Sequence, residues 1–462
     1  MKVSGGRSAW IVGLSFLIAM TLSPSANASP SSVLAYFTAT DGIHGRELWK
    51  SDGTDAGTSM VKDIRPGSKG SDPALFAVID GRVFFSANDG SHGTRMWVSD
   101  GTEAGTSQVA GPFGPPPAPQ TWSGGGSAVA AGSLYYTTRQ RGHLWVTDGT
   151  TSGTHAIPAR GDCLAEAGGV VFFSARGQTE IWRTDGTDAG TFMLQRLHRY
   201  PSPEFICPGF TDVDGRMFYL GRNVRHGHEL WTSDGTVAGT MIVADIKPGR
   251  KGSYPSIVGQ AAGQVLFQTA YPSFLWASDG TGVGTTRLHR FVYADHLSQI
   301  EGDPRLDGAS FFYTAPQGAA YELWKSDGTP RGTVVVGEIP PGDPSIPPLG
   351  AAPLGNVLLF NADDAVHGNE LWRTDGTSAG TMLLRDIDPG TDASFPDHLV
   401  DSGGLVFFSA TDGVSGTALW RSDGTPSGTV MVRDISPSDV GTNLAITFLC
   451  ASPNSTSCHY LR

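Results

Sequence analysis

One ten-residue template, Trp-x-x-Asp-Gly-Thr-x-x-Gly-Thr, occurs nine times in this 462-residue chain and is met in full each time. Its tryptophans are Trp49, Trp97, Trp145, Trp182, Trp231, Trp276, Trp324, Trp372 and Trp420, and most neighbours lie 48 residues apart. That period is the length of one small supersecondary unit. A length-based count of about three domains therefore gives way to one repetitive domain over residues 29–462. A residue present in every copy is more easily explained by folding than by chemistry, so any specific activity is expected where the copies differ.

The second copy shows what one unit contains. Ala74 to Ile79 is apolar and ends at Asp80-Gly81, Arg82 to Ala87 carries Val83-Phe84-Phe85, Asn88 to Gly93 is polar and glycine-rich, and Thr94 to Ser99 carries Trp97. After the Asp100-Gly101-Thr102 turn a fourth run starts at Thr106. Each run is strand-sized and rich in β-branched and aromatic residues, with Gly, Asp, Asn or Pro at every junction. Helical periodicity is absent. The expectation is all-β: a β-propeller of four-stranded antiparallel blades, with each Trp filling the wedge between sheets. Asp of the turn is expected to accept N–H bonds from its own reversal, and Gly to supply a positive φ.

Nine blades exceed the usual four to eight, and two smaller rings or an open solenoid are the alternatives. One ring is favoured by how the chain begins and ends. Ser32 to Phe37 matches the second strand of a repeat with no first strand ahead of it, while Asn443 to Leu449 falls where a first strand belongs and has no blade to enter. The C-terminal strand is expected to complete blade one and close the ring, which removes exposed sheet edges. The copies also depart from one another. The spacing from Trp145 to Trp182 drops to 37 residues, and Gly111 to Gln120 is a proline-rich extended loop. The stretch from Gly111 to Gly209 is therefore where specific binding is first sought.

Lys2, Arg7, the apolar run Trp10 to Leu22 and Ala26-Asn27-Ala28 resemble an export signal over residues 1–28, with cleavage after Ala28. No later stretch is longer, so no membrane anchor is expected, and the location is secreted or periplasmic. Without that leader, 30 Lys and Arg face 44 Asp and Glu, a formal charge of 30 − 44 = −14. Such a chain repels nucleic acid, because strong phosphate binding needs clustered cations. The even set Cys163, Cys207, Cys450 and Cys458 favours disulfides in an exported chain. Of three possible pairings, Cys163–Cys207 with Cys450–Cys458 is preferred on spacing.

Five copies read Glu-Leu-Trp or Glu-Ile-Trp, at Glu47, Glu180, Glu229, Glu322 and Glu370. With the Asp-Gly-Thr that follows, the chain resembles the bacterial ELWxxDGT repeat proteins over essentially its whole mature length. The resemblance implies a secreted, propeller-like protein with no established activity and no catalytic residues to carry over. Copies two, three, six and nine place Arg95, His143, Phe274 and Ala418 at the Glu position, which argues against a glutamate ring as a uniform binding device.

Three chemistries compete with a plain scaffold. Loops such as Asp41-Gly42, Asn88-Asp89-Gly90, Asp363-Asp364 and Asp412-Gly413 offer oxygens for calcium, but none has the Asp-x-Asp-x-Asp-Gly order and a hairpin demands the same residues. His44, His92, His226 and His367 precede glycine in that loop; blades set such loops apart, so solvated turn histidines are expected rather than a metal site. Paired carboxylates or a nucleophile converging on one pocket are not evident, and no catalytic, cofactor-binding or metal residue is nominated. The leading expectation is a monomeric, non-catalytic binding or scaffold module for a glycan, peptide or cell-surface partner. A secreted polysaccharide hydrolase or lyase and a purely structural surface protein are the alternatives.

Overall fold

Asp80-Gly81, Asp214-Gly215 and Asp307-Gly308 have positive φ at both residues, 49° and 75°, 51° and 78°, and 50° and 78°. That is the mirror-image turn whose twist suits a tight hairpin, and each joins the first two strands of a repeat. The structure, a computed structural model, describes residues 35–109, 126–138, 142–177, 179–198, 207–270, 273–291, 297–302, 304–314, 321–339, 350–435 and 448–449. Their strands form nine sheets, and no helix occurs among the described residues. Blade 9 is typical: Asp397–Ser402, Leu405–Thr411, Thr417–Ser422 and Val430–Arg433 pair in antiparallel order. Blades 1 to 9 begin their second strands at Ala35, Arg82, Ser133, Val170, Arg216, Gln264, Ala309, Val357 and Leu405.

The nine sheets form one ring. In blade 1 the innermost strand is Phe448–Leu449, whose residues pair antiparallel with Phe37 and Tyr36. The C-terminal segment thus completes the first blade, as the missing-strand argument anticipates. Nine hydrophobic clusters each unite two consecutive blades, and one of them joins Phe407, Leu419, Val432 and Ile435 of blade 9 to Ala35, Phe37 and Trp49 of blade 1. The core is therefore the set of interfaces between sheets. Within a blade, Phe37 lies directly opposite Trp49 with ring centroids 6.4 Å apart, and Phe85–Trp97, Phe267–Trp276 and Phe408–Trp420 repeat the stacking. Such pairs contribute about 0.5–1.5 kcal/mol beyond the area they bury. In blade 5, Gly221 occupies the position where any side chain would overlap the Trp231 indole.

Irregular blades have local causes. Blade 3 ends at Arg160 and blade 4 starts at Asp162, so Gly161 alone connects them where residues 63–73 connect blades 1 and 2. That lost connection accounts for the short interval from Trp145 to Trp182. Blades 7 and 8 depart from the uniform four-strand expectation. Leu297–Gln299 and Arg305–Leu306 both pair with Ala309–Thr314, and between them Glu301–Gly302 reaches across to pair in parallel with Gly350 and Ala351 of blade 8. Cys163 and Cys207 are disulfide-bonded, tying the first strand of blade 4 to the connection that leads into blade 5. Residues 1–28, expected to be a leader, the proline-rich stretch at 111–120, and Cys450 and Cys458 lie outside the described residues.

Candidate functional site

The two rims of the ring differ in chemistry. On one rim the nine Asp-Gly-Thr turns share a single hydrogen-bond circuit. In blade 8, Asp375 Oδ1 accepts from Thr377 N at 2.9 Å and from Thr377 Oγ1 at 2.6 Å, Thr377 Oγ1 accepts from Gly380 N at 3.0 Å, and Thr381 Oγ1 donates to the Thr377 carbonyl at 2.8 Å. Thr374 Oγ1 accepts from Gly376 N at 3.0 Å and lies 2.7 Å from Thr381 Oγ1, which closes the circuit. Ser or Thr stands before the Asp in all nine copies, at positions 51, 99, 147, 184, 233, 278, 326, 374 and 422. That column lies outside the ten-residue template's Asp, Gly and Thr, although it is plain when the copies are superposed. The second glycine has a steric role rather than a conformational one: a Cβ on Gly380, or on its equivalent in every blade, would overlap the turn Asp carboxylate. The first glycine combines positive φ with contact to the preceding blade, as Gly376 has φ 82° and lies against Phe311 and Lys325. These turns are saturated devices for folding and ring packing.

The opposite rim carries the loops between the second and third strands and the connections between blades. They touch one another: Ser71 N donates to the Arg46 carbonyl at 3.1 Å and Asn88 N to the Ser71 carbonyl at 2.9 Å, linking one blade to the next. Three of the five repeat glutamates organise these connections. Glu370 is fully buried and accepts from Ile387 N, Asp388 N, Ser394 N and Ser394 Oγ at 2.9, 3.2, 3.1 and 2.6 Å. Glu47 and Glu229 do the same for Arg65 and Ser71, and for Lys247 and Ser253. Burial raises the pKa of all three, and the N–H and hydroxyl donors offset part of that rise. Glu180 and Glu322, in copies that lack the Asp-Ile, bond the indole N–H of Trp182 and Trp324 instead. The glutamates are thus loop clasps and packing partners.

Each of the four loop histidines is tied to a carboxylate of its own blade. His44 Nδ1 lies 2.7 Å from Asp41, His92 2.6 Å from Asp89, His226 2.7 Å from Asp245 and His367 3.0 Å from Asp364. The partner carboxylate raises the pKa of His44 and His367. They are paired turn residues rather than simply solvated ones, and they stay apart by blade. No three His, Cys, Asp or Glu among the described residues are grouped to hold a metal ion.

Charge on this rim is segregated by sector. Around blades 8 and 9, Asp388 faces Asp392, Asp412 and Asp386, and burial together with those carboxylates raises its pKa. Among the described residues of this rim over blades 4 to 6, Arg176, Arg196, Arg225, Lys247, Arg250, Lys251 and Arg290 are exposed, against the one exposed carboxylate Asp245. Glu180 is the buried partner shared by Arg176 at 3.6 Å and Arg196 at 3.0 Å, and Asp245 is engaged by His226. A positive sector therefore stands on a chain whose formal charge is −12.

Comparison with known proteins gives no family: no family model matches the chain, and no curated protein matches it. Among solved structures it is similar to puromycin hydrolase, at 13% identity and a TM-score of 0.42, over 85% of this chain and 56% of that one. It is similar also to an oligogalacturonate lyase, at 10% identity and 0.42, over 87% and 98%, and to the dihydro-heme d1 dehydrogenase NirN, at 13% and 0.42, over 88% and 74%. The chain thus spans little more than half the length of the hydrolase. Likeness at this level says nothing about activity.

Proposed function

We propose that this chain is an exported, non-catalytic propeller of the ELWxxDGT repeat kind, which binds a glycan, peptide or cell-surface partner through the rim formed by its inter-blade connections. The observation that carries this reading is the contrast between the rims. The turn rim repeats one internally saturated circuit nine times, whereas the opposite rim changes loop length, charge and exposed side chains from blade to blade. Recognition needs a surface that differs from its neighbours, and the second rim, which varies in loop length as well as in side chains, supplies the larger one. The Cys163–Cys207 bond supports an oxidising location.

Purified protein screened against glycan and peptide panels tests the proposal. Saturable retention without any product is the expected result, and it should be lost when the connection at residues 243–254 is replaced by the single-residue connection of blades 3 and 4. Turnover of a retained polysaccharide would overturn the non-catalytic reading, and retention untouched by loop replacement would overturn the rim assignment.

A further inference from the structure

Arg225 in the loop of blade 5, Lys247, Arg250 and Lys251 in the connection to blade 6, Arg196 in blade 4 and Arg290 in blade 6 are all exposed on the same rim. Arg196 and Arg290 belong to it because each ends a fourth strand paired with the start of a third strand, at Glu180 and Phe274. Adjacent sheets pack about 10 Å apart, so the sector from blade 4 to blade 6 extends at least about 20 Å. That is the reach of a short oligomer and exceeds a single small anion.

An aromatic ring stands inside this sector. Tyr254 has φ 51°, a left-handed backbone that costs a residue with a side chain about 1–3 kcal/mol, and it directly precedes Pro255. Its ring is stacked on His228 with centroids 4.5 Å apart, yet the residue is 50% exposed. His228 beneath it is held neutral, its pKa lowered to about 4 by burial and by Arg222. The ring is therefore supported from below and open above, between cationic loops.

We propose that the blade 4 to 6 sector is a binding surface for an acidic oligosaccharide, with Arg225, Lys247 and Arg250 pairing its carboxylates and Tyr254 stacking on a sugar face. The proposal rests on the binding-module reading and assigns its ligand class. Arginine forks match carboxylates in two-point contacts, and the flat ring offers the apolar platform a pyranose face requires. The rest of the rim selects against a long, stiff polyanion. A duplex nucleic acid extending beyond this sector would meet Asp388, Asp392 and Asp412 around blades 8 and 9, and the chain as a whole repels it. A short acidic chain confined to the positive sector avoids those carboxylates and, carrying fewer charges, is repelled less by the chain as a whole.

The test measures retention of alginate oligosaccharides, neutral dextran oligosaccharides and duplex DNA by the full chain at rising salt. Expected are saturable alginate binding that weakens with salt, loss by about tenfold or more in the triple variant Arg225→Glu, Lys247→Glu, Arg250→Glu, and a several-fold loss in Tyr254→Ala. Arg331→Glu, exposed on the turn rim, should leave binding unchanged, and unaltered melting of each variant shows that the ring is intact. Binding of neutral dextran or a peptide but not alginate would overturn this inference while the binding-module reading survived. Retention of no glycan and no peptide at all would overturn both. DNA retained as tightly as alginate, or alginate binding indifferent to the triple variant, would also overturn the assignment.

Discussion

Replacing Gly380 by alanine isolates the reason for the second invariant glycine. Its φ lies outside the left-handed region, so backbone conformation does not forbid a side chain there. Space does: the new methyl would sit inside the carboxylate of Asp375, far within the roughly 3.5 Å of ordinary carbon contact. The carboxylate must swing away and release the N–H and O–H of Thr377, now at 2.9 and 2.6 Å. Hydrogen bonds to a charged group contribute about 1.5–3 kcal/mol each, and at this exposed turn the lower end applies, giving about 3 kcal/mol for the two. The entropy gained by alanine over glycine offsets about 0.4–1 kcal/mol of that, leaving a net loss of about 2–3 kcal/mol. Asp375→Ala removes the same two bonds and should destabilise by about 3 kcal/mol. In that background Gly380→Ala has nothing to displace, so the double variant should be no less stable than Asp375→Ala alone. Urea unfolding of the four proteins, with slopes compared to confirm that the transition is unchanged, gives the coupling directly. Additive losses from the two substitutions would refute the steric account.

Other perturbations probe different parts of the ring. Asp375 is held below the usual carboxylate value of 3.8, chiefly by its bond from the Thr377 hydroxyl. Its contribution is therefore complete above pH 3.8 and fades as pH falls through the lower folded value, so the stability gap between the parent and Asp375→Ala should narrow in that window and not above it. Glu370→Ala leaves the N–H groups of Ile387, Asp388 and Ser394 without their acceptor and should cost about 3 kcal/mol or more; hydrogen exchange should accelerate at residues 386–396 before it changes in blade 4. Cys163→Ser with Cys207→Ser opens a loop spanning 44 residues, for which the chain-entropy relation gives about 4 kcal/mol, read as a lower melting temperature that matches the parent under reducing conditions. Ending the chain at Ile435 strips blade 1 of its partner strand at Tyr36 and Phe37; lower thermal resistance and association through the bared edge are expected in sedimentation, and an unchanged monomer with parental melting would refute strand-closed architecture.

The blade architecture was legible because Trp and Asp-Gly-Thr are local signals repeated at a fixed period, and a single ring was favoured over two rings or a solenoid by the orphan strand at each end of the chain. Burial of Trp49 between blades 1 and 9 needed no knowledge beyond the breadth of an indole and the period of the repeat. The Ser or Thr before each turn Asp was equally visible but lacked meaning until the circuit showed that its oxygen accepts from Gly376 N in blade 8 and from the matching glycine elsewhere. The role of Glu370 was partly written in its company: copies one, five and eight carry both the glutamate and the Asp-Ile that opens the connection, whereas copy nine keeps Asp434-Ile435 and has Ala418. The clasp forms where both columns are filled, so neither column alone identifies it: Glu180 and Glu322 lack the Asp-Ile and bond an indole instead.

Charge segregation was hidden for a different reason. A repeat chain interleaves its faces every few residues, so Lys247 and Arg250 stand in sequence near Asp245 and far from Arg196, and the total of −12 averages sectors that the ring holds apart. Only the order of blades and the rim on which each loop emerges turn those scattered residues into a patch. The same geometry explains why carboxylates that recur nine times form no pocket: equivalent positions are separated by whole sheets, about 10 Å at the least. A propeller of near-identical blades therefore gains specificity from departures such as Tyr254, where blade 1 has Asp72 and blade 8 has Phe395 at the same strained position. Three different side chains held at φ between 46° and 51° before a proline show that the loop fixes the backbone first and leaves the exposed group free to vary. That is the arrangement expected of a recognition surface, and exchanging Tyr254 for Asp should move binding without moving the melting temperature.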